Sequence, residues 1–410
     1  MKKFMSIVLV LIAATQAFAS ETELKSEIEK LKQQNESILS QLKTLGEKPK
    51  SPMSDVVVGG YGEIIYNAYS NDSSRSQMDV RRFVLSVTKT FNERLSFNGE
   101  MEWEHAVTSA SDPGEAAIEQ AYINYQLAPD LNLKAGLFLM PFGILNESHE
   151  PPVFYGVERN EVETRIIPST WREGGVSVAG TAAENFDWSA GLVTGFDVAK
   201  FDDASEPLGS IHQELAEAKA RDLSVFATLN YKVPGLLLGA AVFTGNSTQG
   251  NADFNADSTL PDFAGIDGRL MLADVHARIQ RNGWDLQALV AKGTNADADR
   301  INQVLLSYNT ATAGNRPFVA SEFYGWLVQA AFTFNLSGET TLSPFARIEE
   351  YDTQSVMPAG FAASDANRDH VFTGGVSLKP HAQVVVKTDY QNYNDDSTRN
   401  RFNLGLGYMF

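Results

Sequence analysis

Arg401-Phe402-Asn403-Leu404-Gly405-Leu406-Gly407-Tyr408-Met409-Phe410 closes the chain and decides how the rest is read. In an extended conformation Phe402, Leu404, Leu406, Tyr408 and Phe410 point one way, and Asn403, Gly405, Gly407 and Met409 the other. This is a strand with one fully apolar face. A soluble sheet would lay that face on a core. An exported chain offers the other solution, the closing strand of an outer-membrane barrel with apolar residues toward lipid and small or polar ones toward a wet lumen.

The opposite end of the chain bears on that choice. Lys2 and Lys3, an apolar run from Met5 to Ala14, and Ala17-Phe18-Ala19 before Ser20 form a secretory signal, residues 1–19. Beyond it no run of 18 apolar residues is present, so no transmembrane helix is predicted. The formal net charge is −18, and the signal takes two lysines with it, so the mature chain is more acidic still and no nucleic-acid partner is expected. With no cysteine, neither disulfides nor thiolate metal sites are available. Stability must then come from a closed sheet, a large core or oligomerisation.

Leu24, Ile28, Leu31, Asn35, Ile38, Leu42 and Leu45 alternate at intervals of four and three. They predict a short coiled-coil helix over 20–46, with Asn35 at a core position that specifies register at some cost in stability; a single amphipathic helix lying on another surface is the alternative. Residues 47–55, with Pro49 and Pro52, read as a linker.

From 56 to 410 the chain alternates apolar and polar residues in sixteen segments: 56–69, 79–91, 94–107, 116–127, 131–138, 169–182, 185–197, 220–232, 235–243, 268–280, 283–291, 322–336, 339–350, 368–379, 381–391 and 401–410. In 94–107, Leu95, Phe97, Met101 and Trp103 oppose Ser96, Asn98, Glu100, Glu102 and Glu104. Three successive carboxylates on one face do not belong in a dry sandwich core. Connections alternate short and long, the pattern of periplasmic turns and outer loops. The fold class expected is therefore all-β, a 16-stranded antiparallel transmembrane β-barrel with a short N-terminal coiled-coil helix. A barrel of 14 or 18 strands, and a β-sandwich or β-helix, are the alternatives. Segment 301–309 is either an extra strand or an apolar piece of a folded loop. Trp103, Tyr125, Trp188, Tyr231, Trp284 and Tyr408 read as interfacial anchors or as packing between protomers.

Sixteen strands enclose an aqueous channel, so whatever narrows it governs transport. The 30-residue connection 139–168 is the candidate, being too long for an ordinary hairpin. Its candidate constriction residues are Glu147, His149, Glu150, Glu158, Arg159 and Arg165. Candidate lumen-facing charges on the strands are Arg82, Glu100, Glu102, Glu104, Lys134, Arg278, Arg347, Glu349 and Lys387. His149 lies between Glu147 and Glu150, but no second histidine is near, so a hydrogen-bonded loop residue is favoured over a metal site. No metal, cofactor or catalytic residue is expected: none of the six histidines stands in a nucleophile or His-Glu-x-x-His pattern.

The signal, the short coiled coil, Leu133-Lys134-Ala135-Gly136-Leu137-Phe138-Leu139-Met140-Pro141-Phe142-Gly143, the Glu158-Arg159-Asn160 to Ser169-Thr170-Trp171-Arg172-Glu173-Gly174-Gly175 stretch and terminal Phe410 together resemble the phosphate-selective porin O and P family of Gram-negative outer membranes. The resemblance implies a homotrimer of 16-stranded barrels with an inward-folded third loop, and Phe410 as the assembly signal read by the barrel-assembly machinery. The partners are then outer-membrane lipid and the permeating ions and small hydrophilic solutes. The coiled coil would lie in the periplasm. Selectivity is not implied: Arg159 and Arg165 share the third loop with Glu147, Glu150, Glu158, Glu161 and Glu163, a mixed charge suited to a general pore. The competing readings are a phosphate-selective channel and a structural or adhesive barrel whose outer loops bind a partner.

Overall fold

The computed structural model describes residues 55–249 and 261–410, together with Glu29 and Lys32, both helical. The signal, the coiled coil and nearly all of the linker lie outside the described residues.

Sixteen antiparallel strands follow one another around a closed sheet. They are β1 (Val56–Tyr69), β2 (Gln77–Asn92), β3 (Leu95–Glu104), β4 (Glu115–Ala128), β5 (Leu131–Leu139), β6 (Arg172–Ala183), β7 (Phe186–Val193) and β8 (Ser224–Val233). The second half comprises β9 (Leu236–Asn246), β10 (Arg269–Arg281), β11 (Trp284–Asn295), β12 (Glu322–Phe332, resuming at Phe334–Asn335), β13 (Thr341–Val356), β14 (Arg368–His381), β15 (Val384–Tyr393) and β16 (Arg401–Met409). Each strand pairs with its neighbours in sequence. β16 closes on β1 from Tyr61↔Met409 to Tyr69↔Arg401, and Gly60 and Phe410 exchange both main-chain hydrogen bonds, at 2.9 and 3.0 Å. The barrel thus leaves no sheet edge.

Along β16, Phe402, Leu404 and Leu406 are exposed while Asn403, Gly405 and Gly407 are buried inside. The same period of two runs through β8 to β15. The outward face is apolar, as a lipid-facing wall requires.

One end of the barrel has tight turns. Asn282 and Gly283, both at positive φ (51° and 83°), join β10 to β11 in the two-residue Asn-Gly hairpin whose twist matches that of the strands. Aromatic rings gather at this end, with Trp284 5.0 Å from Phe332 and Phe186 4.9 Å from Tyr231. The opposite end carries the long loops, named here L1 to L8 in chain order. L3 spans 140–171, L4 194–223, L5 247–268 and L6 296–321.

Segment 301–309 is not an extra strand. It lies in a helix, Ala298–Thr312 within L6, that buries Ile301 and Leu305 on one side. Its buried positions Ala298, Ile301 and Leu305 recur at intervals of three and four, which share one face in a helix but not in a strand. The expected loop 351–367 is also shorter, because β13 runs on to Val356.

Apolar residues of L4, L5 and L6, among them Phe196, Phe201, Leu208, Ile211, Phe263, Ile301 and Leu305, form one buried cluster with Phe138, Phe142 and Trp171 around L3. Arg316 of L6 donates to the carbonyls of Ala199 and Phe201 in L4, at 2.9 and 3.1 Å. The long loops therefore cap one half of the mouth and brace the segment folded inside.

Candidate functional site: the inward-folded loop and its arginine cavity

L3 leaves β5 and returns to β6 through a narrow neck. Met140 N–H donates to Trp171 O at 2.8 Å, and Asn146 spans the neck, its side-chain amide donating to Met140 O and Trp171 O while its oxygen accepts from Trp171 N–H. The buried Glu163 ties the start of the loop to its end. Its carboxylate accepts Ile144 N–H at 2.6 Å, Leu145 N–H at 2.7 Å and the Asn160 amide at 2.6 Å. Gly143 makes this approach possible. At φ +68° a Cβ there would stand 2.2 Å from Glu163 Oε1, so only glycine fits. Trp171, fully buried, packs against Phe142, Phe196 and Phe243 with ring centroids 4.8 to 5.4 Å away, and its indole N–H donates to Glu173. The Pro-Phe-Gly and Trp-Arg-Glu stretches are thus the two halves of one lock.

Past the neck, L3 runs along the inner wall made by β10 to β16 and β1. The wall holds its main chain with side chains: Asp274 accepts Gly143 N–H, Asp389 accepts Val157 N–H at 2.6 Å, and Glu349 accepts Glu161 N–H at 2.7 Å. Lys387 donates to Gly156 O at 2.8 Å and Ser377 to Tyr155 O at 2.7 Å. Gly325, Gly405 and Gly407 leave room for Val162 and Ile166, Val157, and Pro151 in turn. Arg347 bonds Glu349 at 2.7 Å, and Arg278 bonds Asp285, which also accepts from Tyr155 of L3. Arg278, Arg347, Glu349 and Lys387 are therefore engaged by the loop or by one another.

The facing wall is bare. On the inner faces of β3 to β5, Ser96, Asn98, Glu100, Glu104, Gln120, Tyr122, Asn124, Asn132 and Lys134 are only half-buried, whereas Asp274, Gln329, Arg347, Lys387 and Asn403 opposite are buried. The open part of the lumen lies along this bare side.

Between L3 and β1–β2 is a cavity of about 320 Å³ lined by Arg75, Arg81, Arg82, Arg159, Arg165, Arg399 and Arg401 and by Glu63, Glu104, Glu158 and Glu161. It brings together Arg82, Glu104, Glu158, Arg159 and Arg165 from the sequence-derived set. Glu147 and Lys134 line a second, smaller cavity. His149, Glu150, Glu100 and Glu102 line neither. Glu100 accepts from Gln120, Glu102 lies 3.5 Å from Arg82, and His149 is buried against β1, its Nε2 2.7 Å from the Tyr61 hydroxyl and its Nδ1 2.9 Å from Asn146 O.

Most guanidinium groups of the larger cavity have carboxylate partners. Arg81 pairs with Glu158 at 3.0 Å, Arg82 with Glu63 at 2.8 Å, and Arg165 and Arg399 both with Glu161, at 2.5 and 2.9 Å. Burial raises the Glu161 pKa, but Arg165, Arg399 and Arg401 outweigh it, so the carboxyl sits well below its usual range. Arg159 differs. It donates to the Thr170 hydroxyl, and its Nε and Nη2 are buried without a protein partner. Burial, with Arg82 nearby, lowers its pKa to about 10, so it remains charged at neutral pH.

Strict alternation misses two residues here. Arg81 is an extra residue in β2 where Glu63 pairs with Arg82 and Ile64 with Val80, and Glu119 is an extra residue in β4 where Glu100 pairs with Gln120 and Met101 with Ile118. Each bulge turns two successive side chains inward. Arg81 thereby reaches Glu158, and Glu119 reaches the Tyr61 hydroxyl at 3.3 Å. Arg399 and Arg401 also enter the cavity, from the chain's last loop and strand.

The phosphate-selective porin O and P family matches residues 59–203, from β1 through the neck of L3 into L4. An uncharacterized protein of Aquifex aeolicus (strain VF5) is 32% identical over 363 residues, which is 87% of this chain and 80% of that protein. The chain is an outer-membrane porin that matches the phosphate-selective porin O and P family over part of its length. The porin also shares its fold with Salmonella typhi OmpF in complex with daunomycin (TM-score 0.56, 15% identity, 87% of this chain and 97% of that one). The outer membrane channel DcaP of Acinetobacter baumannii is similar as well (TM-score 0.52, 14% identity, 87% and 97% covered).

Proposed function

We propose that the porin forms a water-filled channel through which ions and small hydrophilic solutes diffuse passively across the outer membrane, and that L3 and its arginine cavity set what passes. The observation that carries this reading is the bare wall of β3 to β5, where polar side chains stay half-exposed inside a closed barrel. In this reading Glu158, Arg159 and Arg165 of L3, with Arg82 and Glu104 of the wall, border the passage. Glu147 stands at its lower rim, Glu150 lies near Glu100 of the bare wall, and His149 anchors the loop. Glu100, Glu102 and Lys134 line the passage, while Arg278, Arg347, Glu349 and Lys387 hold the loop to the opposite wall.

The channel is a homotrimer, with the heptad segment 20–46 as a periplasmic coiled coil and Phe410 as the signal to the barrel-assembly machinery. The heptad pattern and the exposed Phe410 ring, stacked on Phe83 at 6.3 Å, support these two assignments. Reconstitution into planar bilayers tests the function. Ion-conducting steps in groups of three are expected, and a folded trimer without conductance overturns the reading.

A second reading, anion preference, has a specific observation behind it: seven guanidinium groups against four carboxylates around one cavity. An excess of fixed positive charge raises the local anion concentration. The reversal potential in a salt gradient would then carry the anion sign and shift toward cations in Arg159→Glu. A cation-signed potential in the unaltered porin rejects it.

A further inference from the structure

Below L3, toward the end with tight turns, lies a separate cavity of about 180 Å³ between β4 and β8. Its chemistry differs from that of the arginine cavity. Two lysines, Lys134 and Lys232, are matched in number by Glu147 and Asp187. Lys232 pairs with Asp187 at 3.2 Å, and Lys134 Nζ rests 4.7 Å from the Tyr122 ring centroid. The remaining polar lining is neutral: Asn124, Asn132, Asn230, Ser177, Ser189 and Thr228. Ser189 and Thr228 bond each other at 2.7 Å. Among the described residues, the carboxamides of Asn124, Asn132 and Asn230 and the hydroxyl of Ser177 make no side-chain hydrogen bond with the protein. They come from four strands, and the register holds them in adjoining rows, with Asn124 opposite Lys134, Lys134 opposite Ser177, and Asp187 opposite Asn230. Leu139 and Pro141 supply an apolar border.

A carboxamide presents a donor and an acceptor side by side, which matches two neighbouring hydroxyls of one solute. Three such groups with no internal partner, in a cavity whose fixed charges cancel, reward many neutral hydroxyls. They give no counter-charge to an ion leaving water. The volume is below the range of drug-sized pockets and suits a small solute. We propose that this cavity is a binding subsite for neutral polyhydroxylated solutes, of the class of mono- and short oligosaccharides, beneath the constriction. The inference rests on the channel reading for its transport meaning, but not for the binding itself.

Two measurements test it on the full-length trimer. In planar bilayers in potassium chloride, glucose, maltose and maltotriose are added to either side, with a polyethylene glycol of similar size as control. Saturable interruptions of the ion current are expected with the sugars and not with the glycol. Calorimetric titration of the detergent-solubilised trimer with maltose should give a matching affinity. The double variant Asn124→Leu/Asn230→Leu should weaken both about tenfold, as expected for the loss of one or two solute hydrogen bonds. Asn132→Leu gives an independent check if the double variant does not assemble. Sugars that act on the current only as the glycol does, or no heat of maltose binding, overturn the subsite. So does an affinity unchanged in the variants. A porin that conducts salt but ignores sugar refutes this inference alone, whereas maltose binding without conductance sustains the subsite and sinks the channel reading.

Discussion

Replacing Glu163 with alanine removes the group that closes L3 on itself. The carboxylate is buried and accepts two main-chain N–H groups, of Ile144 and Leu145, as well as the Asn160 amide. Orphaning a buried donor costs about 1 to 3 kcal/mol, and bonds to a charged acceptor lie at the upper end. Two orphaned main-chain donors therefore weaken the docked loop by roughly 4 kcal/mol, about a thousandfold in the ratio of docked to undocked states. The barrel itself should persist, because none of its ladder bonds pass through Glu163. Single-channel recording is the assay, combined with limited proteolysis of folded trimers. Glu163→Ala should show larger, noisier conductance and cleavage within 140–171. Glu163→Gln, which keeps an oxygen for the two N–H groups but sets an NH₂ against Asn160, should fall between it and the unaltered porin. Gly143→Ala should resemble Glu163→Ala with the carboxylate still present, since its Cβ would occupy the place of Glu163 Oε1. A quiet Glu163→Ala channel of unchanged conductance, with L3 resistant to protease, would refute the claim that this lock holds the loop.

Other consequences follow from the loop's anchors. Burial, and then the charges of Arg159 and Arg82, hold His149 well below its ordinary pKa, so its neutral Nε2 accepts from Tyr61. Because the folded-state pKa is depressed, this contribution is complete above about pH 6.5 and declines as pH falls below it. Protease cleavage of L3 should rise between pH 6.5 and 5; Tyr61→Phe, costing about 1 kcal/mol, should move the rise to higher pH, and a profile flat across that range would count against the anchor. Glu161, also depressed, follows the same sign in a lower window: the stability from its pairing with Arg165 and Arg399 is complete above about pH 4.3 and declines progressively as pH falls toward the lowered pKa. Arg399→Gln should make L3 cleavable near pH 4 where the unaltered loop is not, and equal cleavage of the two proteins there would reject the pairing. Gly283→Val puts a branched side chain at φ +83°, a strain of about 1 to 2 kcal/mol at the β10–β11 turn. The heat-modifiable folded band should form more slowly and melt earlier on gels, and unchanged folding would mean that the turn geometry is not limiting.

The barrel was legible because lipid imposes a rule the sequence must obey at every second position. Sixteen strands and the short turns could be read from alternation, and β16 shows it most plainly. Where alternation breaks, the reading failed in a physical way. The bulges at Arg81 and Glu119 place two adjacent residues on one face, so Glu119, on the lipid side by simple counting, is inside against Tyr61. The 301–309 segment has a short apolar pattern that suits strand or loop, and its helical burial at Ile301 and Leu305 emerges only once L4 and L5 offer it a partner. At the cavity, the sequence nominated Arg159 and Arg165 because they sit in an unusually long loop. It gave no sign that Arg75, far upstream, and Arg399 and Arg401, more than 230 residues downstream, meet them, since closure of β16 on β1 brings the two ends of the barrel sequence together.

The division of the barrel into a wall that holds L3 and a wall left bare separates two kinds of evolutionary freedom. A substitution at Lys387, Asp389 or Glu349 disturbs the loop's seat and with it the shape of the passage. A substitution at Asn124 or Asn132, half-buried on the bare side, breaks no side-chain hydrogen bond to the loop. Descendants of one such barrel can therefore acquire new diets by drifting along β3 to β5, with no need to redesign the loop that gives the pore its size.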